Sequence, residues 1–256
     1  MRLARAVTRL TATLATGLAA GALALGLSAP PARATDCKLA LVLGLDISSS
    51  VNEREYRLQI EGLADALAHE LVKEAILTPE GSGIAVITYE WSGYAQQDLI
   101  TGWEILDSPA AIDAYAARLK AHQRIYSDFP TAVGKAVEFG AKLFANAPPC
   151  QRQTIDLSGD GENNDGVDPD VFRAQGLLDG ITINGLVILG AFPNPAIYYR
   201  GHVMQGPNAF VALARDFEDY RRVMLGKLLR EIDQQLILGE VFGDTPGVDR
   251  LEGRAR

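Results

Sequence analysis

Residues 38–45 (KLALVLGL) form a run of strand length that is apolar almost throughout and stops abruptly at Asp46. A strand that alternates apolar and polar residues leaves one face in water. An unbroken apolar run needs cover on both faces, so this segment predicts a central parallel strand. Beyond it lies the polar loop Asp46-Ile47-Ser48-Ser49-Ser50. Tyr56, Ile60, Leu63, Ala64, Leu67 and Leu71 then recur at helical spacing on one face. Strand, polar loop and helix make one unit of an α/β sheet.

The same alternation continues along the chain. Residues 83–89 (GIAVITY) repeat the strand signal, 91–94 (WSGY) resemble a tight turn, and 96–101 suit a short edge strand, so a hairpin is expected at one margin. Residues 109–121 and 131–146 read as helices, the first opened by Ser108 with Pro109 at its first position. Strands are expected at 154–158 and 181–189, with a helix over 169–178 between them, then a short strand over 209–213 and an amphipathic helix over 217–236. This order predicts a doubly wound α/β fold: a mostly parallel central sheet with one antiparallel edge strand and helices on both faces. Such sheets bind ligands beyond the carboxyl ends of their strands, where the strand order reverses.

Residues 1–34 read as an export signal. Arg2, Arg5 and Arg9 precede an uncharged Ala/Leu/Gly run, and Ala32-Arg33-Ala34 offers a small-x-small cleavage site. An uncleaved anchor is the alternative, since the uncharged stretch approaches the roughly 20 residues that span a bilayer. The folded domain is then expected over 35–238, with a tail rich in Gly and charge over 239–256. The segment carries four arginines and no acid, so its removal takes the formal charge from −8 to −12. A surface that acidic, without any Lys/Arg run, repels nucleic acid. After cleavage, no second hydrophobic segment points to a membrane, and the place of action is periplasmic or secreted.

Export to an oxidising compartment makes a disulfide between the only two cysteines, Cys37 and Cys150, the natural expectation, with two buried thiols as the alternative. Each cysteine lies just upstream of a short strand that ends in an acidic loop. If those strands are parallel neighbours, the two cysteines sit at the same end of the sheet.

In the first acidic loop, alternate residues Asp46, Ser48 and Ser50 can project a carboxylate and two hydroxyls into one crevice. These are hard oxygen donors of the kind that Mg²⁺ prefers, and Mn²⁺ or Ca²⁺ to a lesser degree. Ser50 and Glu53 fit a helix capping box equally well. A second loop, SGDGENNDG over 158–166, follows the strand expected beside the first and brings Asp160 to the same region.

Asp46-x-Ser48-x-Ser50, Thr131 opening a later helix, and Asp160-Gly161 after a strand together resemble a von Willebrand factor type A domain with its metal-ion-dependent adhesion site. The resemblance spans nearly the whole exported chain. It implies that Ser48, Ser50 and Thr131 bind a divalent cation directly while Asp46 and Asp160 act largely through water. Pro130 departs from the pattern, since many relatives have glycine there. Through its SGDGENN loop and residues 197–200 (IYYR), the chain is also similar to bacterial secreted domains of this type whose function is unassigned.

The function expected on this basis is protein binding in which a partner carboxylate completes the metal's shell. Trp91, Tyr94 and Asn194 are candidates for a rim that touches the partner. The alternative chemistry is a metal-dependent phosphoester hydrolase with Asp46 as nucleophile. That chemistry wants a second carboxylate two residues on, where Ser48 stands. His69, His122 and His202 fall in no motif that pairs them with a serine. Neither HExxH, GxSxG nor a P-loop is present, so no catalytic residue is assigned.

Overall fold

The computed structural model describes residues 36–233. Residues 1–34, expected as an export signal, and the tail expected over 239–256 lie outside the described residues, as do residues 234–236 of the helix expected over 217–236.

The chain runs β1 (Asp36–Asp46), α1 (Glu53–Leu67), α2 (Glu70–Leu77), β2 (Ser82–Trp91), β3 (Gln97–Leu99), β4 (Glu104–Leu106), α3 (Pro109–Ala121) and α4 (Val133–Leu143). It continues through β5 (Gln153–Gly159), α5 (Pro169–Ala174), β6 (Thr182–Ile188), α6 (Pro195–Tyr198), β7 (Val211–Ala214) and α7 (Tyr220–Ile232). The sheet order is β3-β2-β1-β5-β6-β7, with β4 also paired to β2. β2, β1, β5, β6 and β7 are mutually parallel, and β3 and β4 run antiparallel along β2. The doubly wound architecture therefore has its antiparallel margin split into two short pieces.

The unbroken apolarity of β1 follows from two separate cores. Leu39, Leu41, Leu43 and Leu45 pack with Tyr56, Ile60 and Leu63 of α1, Tyr115 of α3 and Leu228 of α7. Val42 points the other way, into a cluster with Val133, Ala136 and Val137 of α4 and with Trp91 and Tyr199. Each face of the strand is thus sealed by a helix layer, and alternation is absent because neither face meets water.

The helix expected to carry Leu71 instead ends at Leu67. A new helix starts after His69, whose Nδ1 accepts from the Leu71 backbone N–H, and Leu71 is 43% exposed. Similarly, α4 begins at Val133, so Thr131 sits in the loop before it rather than on its first turn. Its last turn, Phe144–Asn146, tightens to a 3₁₀ turn, and α5 stops at Ala174. A five-residue π-turn, Tyr199–Val203, follows α6 without any hydrophobic period to announce it.

β1 and β5 lie side by side in parallel, and this brings their upstream residues together: Cys37 and Cys150 form a disulfide with a Cα–Cα separation of 4.7 Å. In the chain-entropy model a loop of this length contributes at most about 4 to 5 kcal/mol. The bridge fixes the amino ends of these two strands, and their carboxyl ends carry the acidic loops.

Candidate metal site

Strand order reverses between β1 and β5: β2 follows β1 on one side, and β6 and β7 follow β5 on the other. Asp46 is the last residue of β1, and Asp160 comes directly after the last residue of β5. The two carboxylates therefore meet at the crevice where this class of sheet holds its ligands.

The loop leaving β1 turns at once, because the Ser48 backbone N–H donates to Asp46 Oδ1 at 2.7 Å. Ser48 Oγ lies 3.2 Å from Ser50 Oγ, and Ser50 Oγ donates to Asp160 Oδ1 at 2.7 Å. A chain of oxygens thus crosses from one strand end to the other. The capping role weighed for Ser50 falls elsewhere: Asn52 caps α1, its side chain accepting from Glu55 N while the Glu55 carboxylate accepts from Asn52 N. Both serine hydroxyls are left to the crevice.

Thr131 lies beside Gly161 on a third loop, which is tied to the loop that bears Asp160. Asn164 Oδ1 accepts from Thr131 N at 2.8 Å, and Asn164 N donates back to Thr131 O at 2.9 Å. Asn163 Oδ1 accepts from Gly134 N at 3.3 Å. The path through Pro130 is set by Ser92, whose hydroxyl donates to Pro130 O while its carbonyl accepts from Ala132 N. Thr131 and Ser48 are buried, and Asp46 almost completely so.

Three further residues hold this arrangement and carry no signal in the sequence. Arg124 donates to the carbonyls of Ile47 (2.6 Å), Ser48 (3.2 Å) and Val51 (2.6 Å), so one guanidinium clamps the whole serine loop. Gln59 donates to Asp46 O at 2.9 Å. Glu90, buried on β2, lies 3.2 Å from His122 at the start of the segment that bears Arg124.

The electrostatics are those of a site short of positive charge. Burial, reinforced by the charge of Asp160, pushes the Asp46 carboxyl up to about 7. The Ser48 hydroxyl and the Asp160 N–H offset part of that rise, yet neither closes a hydrogen bond on Oδ2, which is buried and without a partner. Asp160 is also raised, by burial and then by Glu55, against the lowering effect of the Ser50 hydroxyl. No basic side chain figures among these influences. A divalent cation fits the donors gathered here: the Asp46 and Asp160 carboxylates, the first with an orphaned oxygen, and the Ser48 and Ser50 hydroxyls, with the Thr131 hydroxyl beside Gly161, all hard ligands. Among the described residues no group of three His, Cys, Asp or Glu could hold a metal. A cation bound here would have to draw on the hydroxyls of Ser48, Ser50 and Thr131.

Of the expected rim residues, Trp91 is corrected: it ends β2 with its indole wholly buried, so it lies beneath the crevice and cannot touch a partner. Tyr94 is 55% exposed, with Lys135 over its ring at 4.6 Å. Asn194 is exposed, and its side chain caps α6 by accepting from Ala196 N. A cleft of about 220 Å³ opens beside Asp160, lined by Glu55, Gly190, Asp216, Phe217 and Glu218 among others. Nearby in sequence, Phe192 is 98% exposed. The histidines are engaged away from the serines: His69 caps α2, His122 faces Glu90 and His202 pairs with Asp170.

Solved structures with the same architecture support the fold. One is proximal thread matrix protein 1 from the mussel byssus with a zinc-occupied MIDAS motif, at 13% identity and a TM-score of 0.59, covering 77% of this chain and 48% of that one. Another is a von Willebrand factor type A structure from Catenulispora acidiphila, at 18% identity and a TM-score of 0.51, covering 75% of this chain and 43% of that one. A third is the PilB minor pilin from Streptococcus sanguinis, at 14% identity and a TM-score of 0.54, covering 80% of this chain and 63% of that one. The chain thus spans less than two thirds of each, and at these identities the likeness is one of fold. Among curated proteins none matches the sequence. The family model described as "Protein of unknown function (DUF1194)" matches residues 36–236, and the chain belongs to that family.

Proposed function

We propose that this protein is an exported, non-enzymatic binding module that recognises an acidic residue of a partner protein through a divalent cation, Mg²⁺ by preference. The observation that carries this reading is the buried Asp46 carboxylate, left with one unpartnered oxygen in a crevice where two serine hydroxyls and a second carboxylate converge. Ser48, Ser50 and Thr131 would hold the metal directly, with Asp46 and Asp160 behind them. The bound cation would supply the positive charge that the crevice lacks and an open position for a carboxylate oxygen. Arg124 and Gln59 hold the first loop by its backbone carbonyls, and Asn163 and Asn164 hold the second loop to the third, so the donors are set before the metal arrives. The zinc-occupied MIDAS motif of the mussel protein and the pilin kinship of another fold neighbour support the same direction. Among the described residues no helix is long and apolar enough to cross a membrane.

Calorimetric titration of the purified protein with Mg²⁺ and Mn²⁺ tests the reading. One-site binding is expected, lost in the Asp46→Ala/Ser48→Ala variant, with Kd on the order of 10⁻⁴ to 10⁻³ M as in extracellular cation modules. Absence of binding by folded wild-type protein would refute it. Turnover of a generic phosphoester, abolished by Asp46→Ala, would establish the hydrolase instead.

A further inference from the structure

Tyr199 opens the π-turn after α6, and its ring occupies space cleared by two glycines on neighbouring strands. A Cβ on Gly185 of β6 would stand 2.7 Å from the Tyr199 Cδ1. A Cβ on Gly159, the last residue of β5, would collide with the Tyr199 hydroxyl; it would also lie 3.0 Å from Asp46 Oδ2 and 3.3 Å from Trp91 Cζ2. The backbone around Tyr199 is anchored on both sides. Tyr198 donates to Asp168 at 2.5 Å and stacks on His202, and Met204 N donates to Tyr199 O at 2.8 Å. The hydroxyl is therefore held in place beneath the metal crevice.

Three buried polar atoms gather around Gly159, and none has a hydrogen-bond partner: Asp46 Oδ2, Tyr199 Oη and Trp91 Nε1. The indole nitrogen is on the same ring edge as Cζ2, the atom nearest Gly159. Leaving one such group unsatisfied costs about 1–3 kcal/mol, so three in one place call for a shared partner. One acceptor and two donors supply the two to four contacts that a buried water requires.

We propose that Tyr199 and Trp91 hold one buried water over Gly159 that hydrogen-bonds to Asp46 Oδ2, which makes Tyr199 a positioning residue for the metal-site carboxylate. This rests on the metal-binding reading above and extends it to two residues outside the ligand set. Ser48 N fixes one oxygen of Asp46 and the water fixes the other, so the carboxylate cannot swing away from the crevice when the cation is absent. The outer shell of a metal site typically governs affinity in this way.

The test is Mn²⁺ titration of wild type, Tyr199→Phe, Trp91→Phe and the double variant, with thermal unfolding of each recorded in EDTA. Tyr199→Phe should bind Mn²⁺ roughly tenfold more weakly. Trp91→Phe should show a smaller but measurable loss of affinity. In the double variant the two losses should not add, because each removes a partner of the same water; a purely structural role for the rings would give additive losses and a lowered unfolding temperature instead. If one single variant fails to fold, the other carries the test. Tyr199→Phe or Trp91→Phe that folds and binds as tightly as wild type overturns the inference while leaving the metal site standing. A folded wild type that binds no metal overturns both.

Discussion

Two pairs of carboxylates meet at this sheet, one in the core and one at the strand ends, and they differ in their counter-charge. Asp156 in the middle of β5 and Glu231 of α7 share Lys227, whose ammonium lies 2.6 Å from Asp156 Oδ2 and 2.5 Å from Glu231 Oε1, with all three side chains sealed from solvent or nearly so. Asn184 donates to Glu231 at 2.7 Å, which ties β6 into the same cluster. Asp46 and Asp160, at the strand ends, have serine hydroxyls around them and no ammonium or guanidinium. Burial pushes both Asp46 and Asp156 up to about 7, the second with help from Glu231 and against the pull of Lys227. The core cluster carries its cation in the sequence. The crevice has none among its own side chains, and the proposed metal site rests on that difference.

Replacing the internal cation gives the largest expected effect. Lys227→Met leaves two carboxylates buried without compensation and should cost about 3–5 kcal/mol, read as a lower urea midpoint. A loss below 1 kcal/mol would mean that the cluster is protonated rather than ion-paired and would erase the contrast with the crevice.

The pH dependence comes next. A carboxyl whose folded value is raised binds its proton more tightly in the native state, so its contribution to stability falls as pH rises from the unfolded value near 4 to about 7 and is level above that. Asp156→Asn should flatten this decline by an amount on the order of 4 kcal/mol across that window, as followed by denaturant titrations at several pH values. Asp46 adds a decline of the same sign, so the slope is reduced rather than abolished. An unchanged slope would place the titrating proton elsewhere.

The smallest effect on stability, and the most informative, belongs to the crevice. At pH 8 in EDTA, Asp46→Asn removes a buried charge that no side chain neutralises and should raise stability by about 1 kcal/mol, while ending metal binding. Opposite signs for Lys227→Met and Asp46→Asn would confirm that one carboxylate pair is complete within the chain and the other is not. A destabilised Asp46→Asn would make Asp46 a turn residue like any other.

The contrast also explains what could be read in advance. Asp46, Ser48, Ser50 and Asp160 stand at strand ends, where an apolar run stops at a polar residue, and that boundary is visible along the chain. Asp156 and Lys227 are separated by 71 positions and lie on the buried faces of a strand and a helix, where a charged residue announces no partner. Arg124 is similar: its targets are backbone carbonyls, which every residue has, so no side-chain pattern marks them. Trp91 departs from the turn that its neighbours Ser92, Gly93 and Tyr94 suggest because β2 extends to the crevice, and the strand's burial continues to its last residue.

Sequence by itself determined the alternation of strands and helices, the covered central strand and the oxygen-rich loops at its end, because hydrophobic period and the stop of an apolar run are local properties of the chain. Only the tertiary structure decided which atoms lack partners. Whether Tyr199 reaches Gly159, whether Lys227 meets Asp156, and whether Asp46 is left one oxygen short depend on the register between parallel strands and on how the helices pack over them, distances that no local pattern encodes.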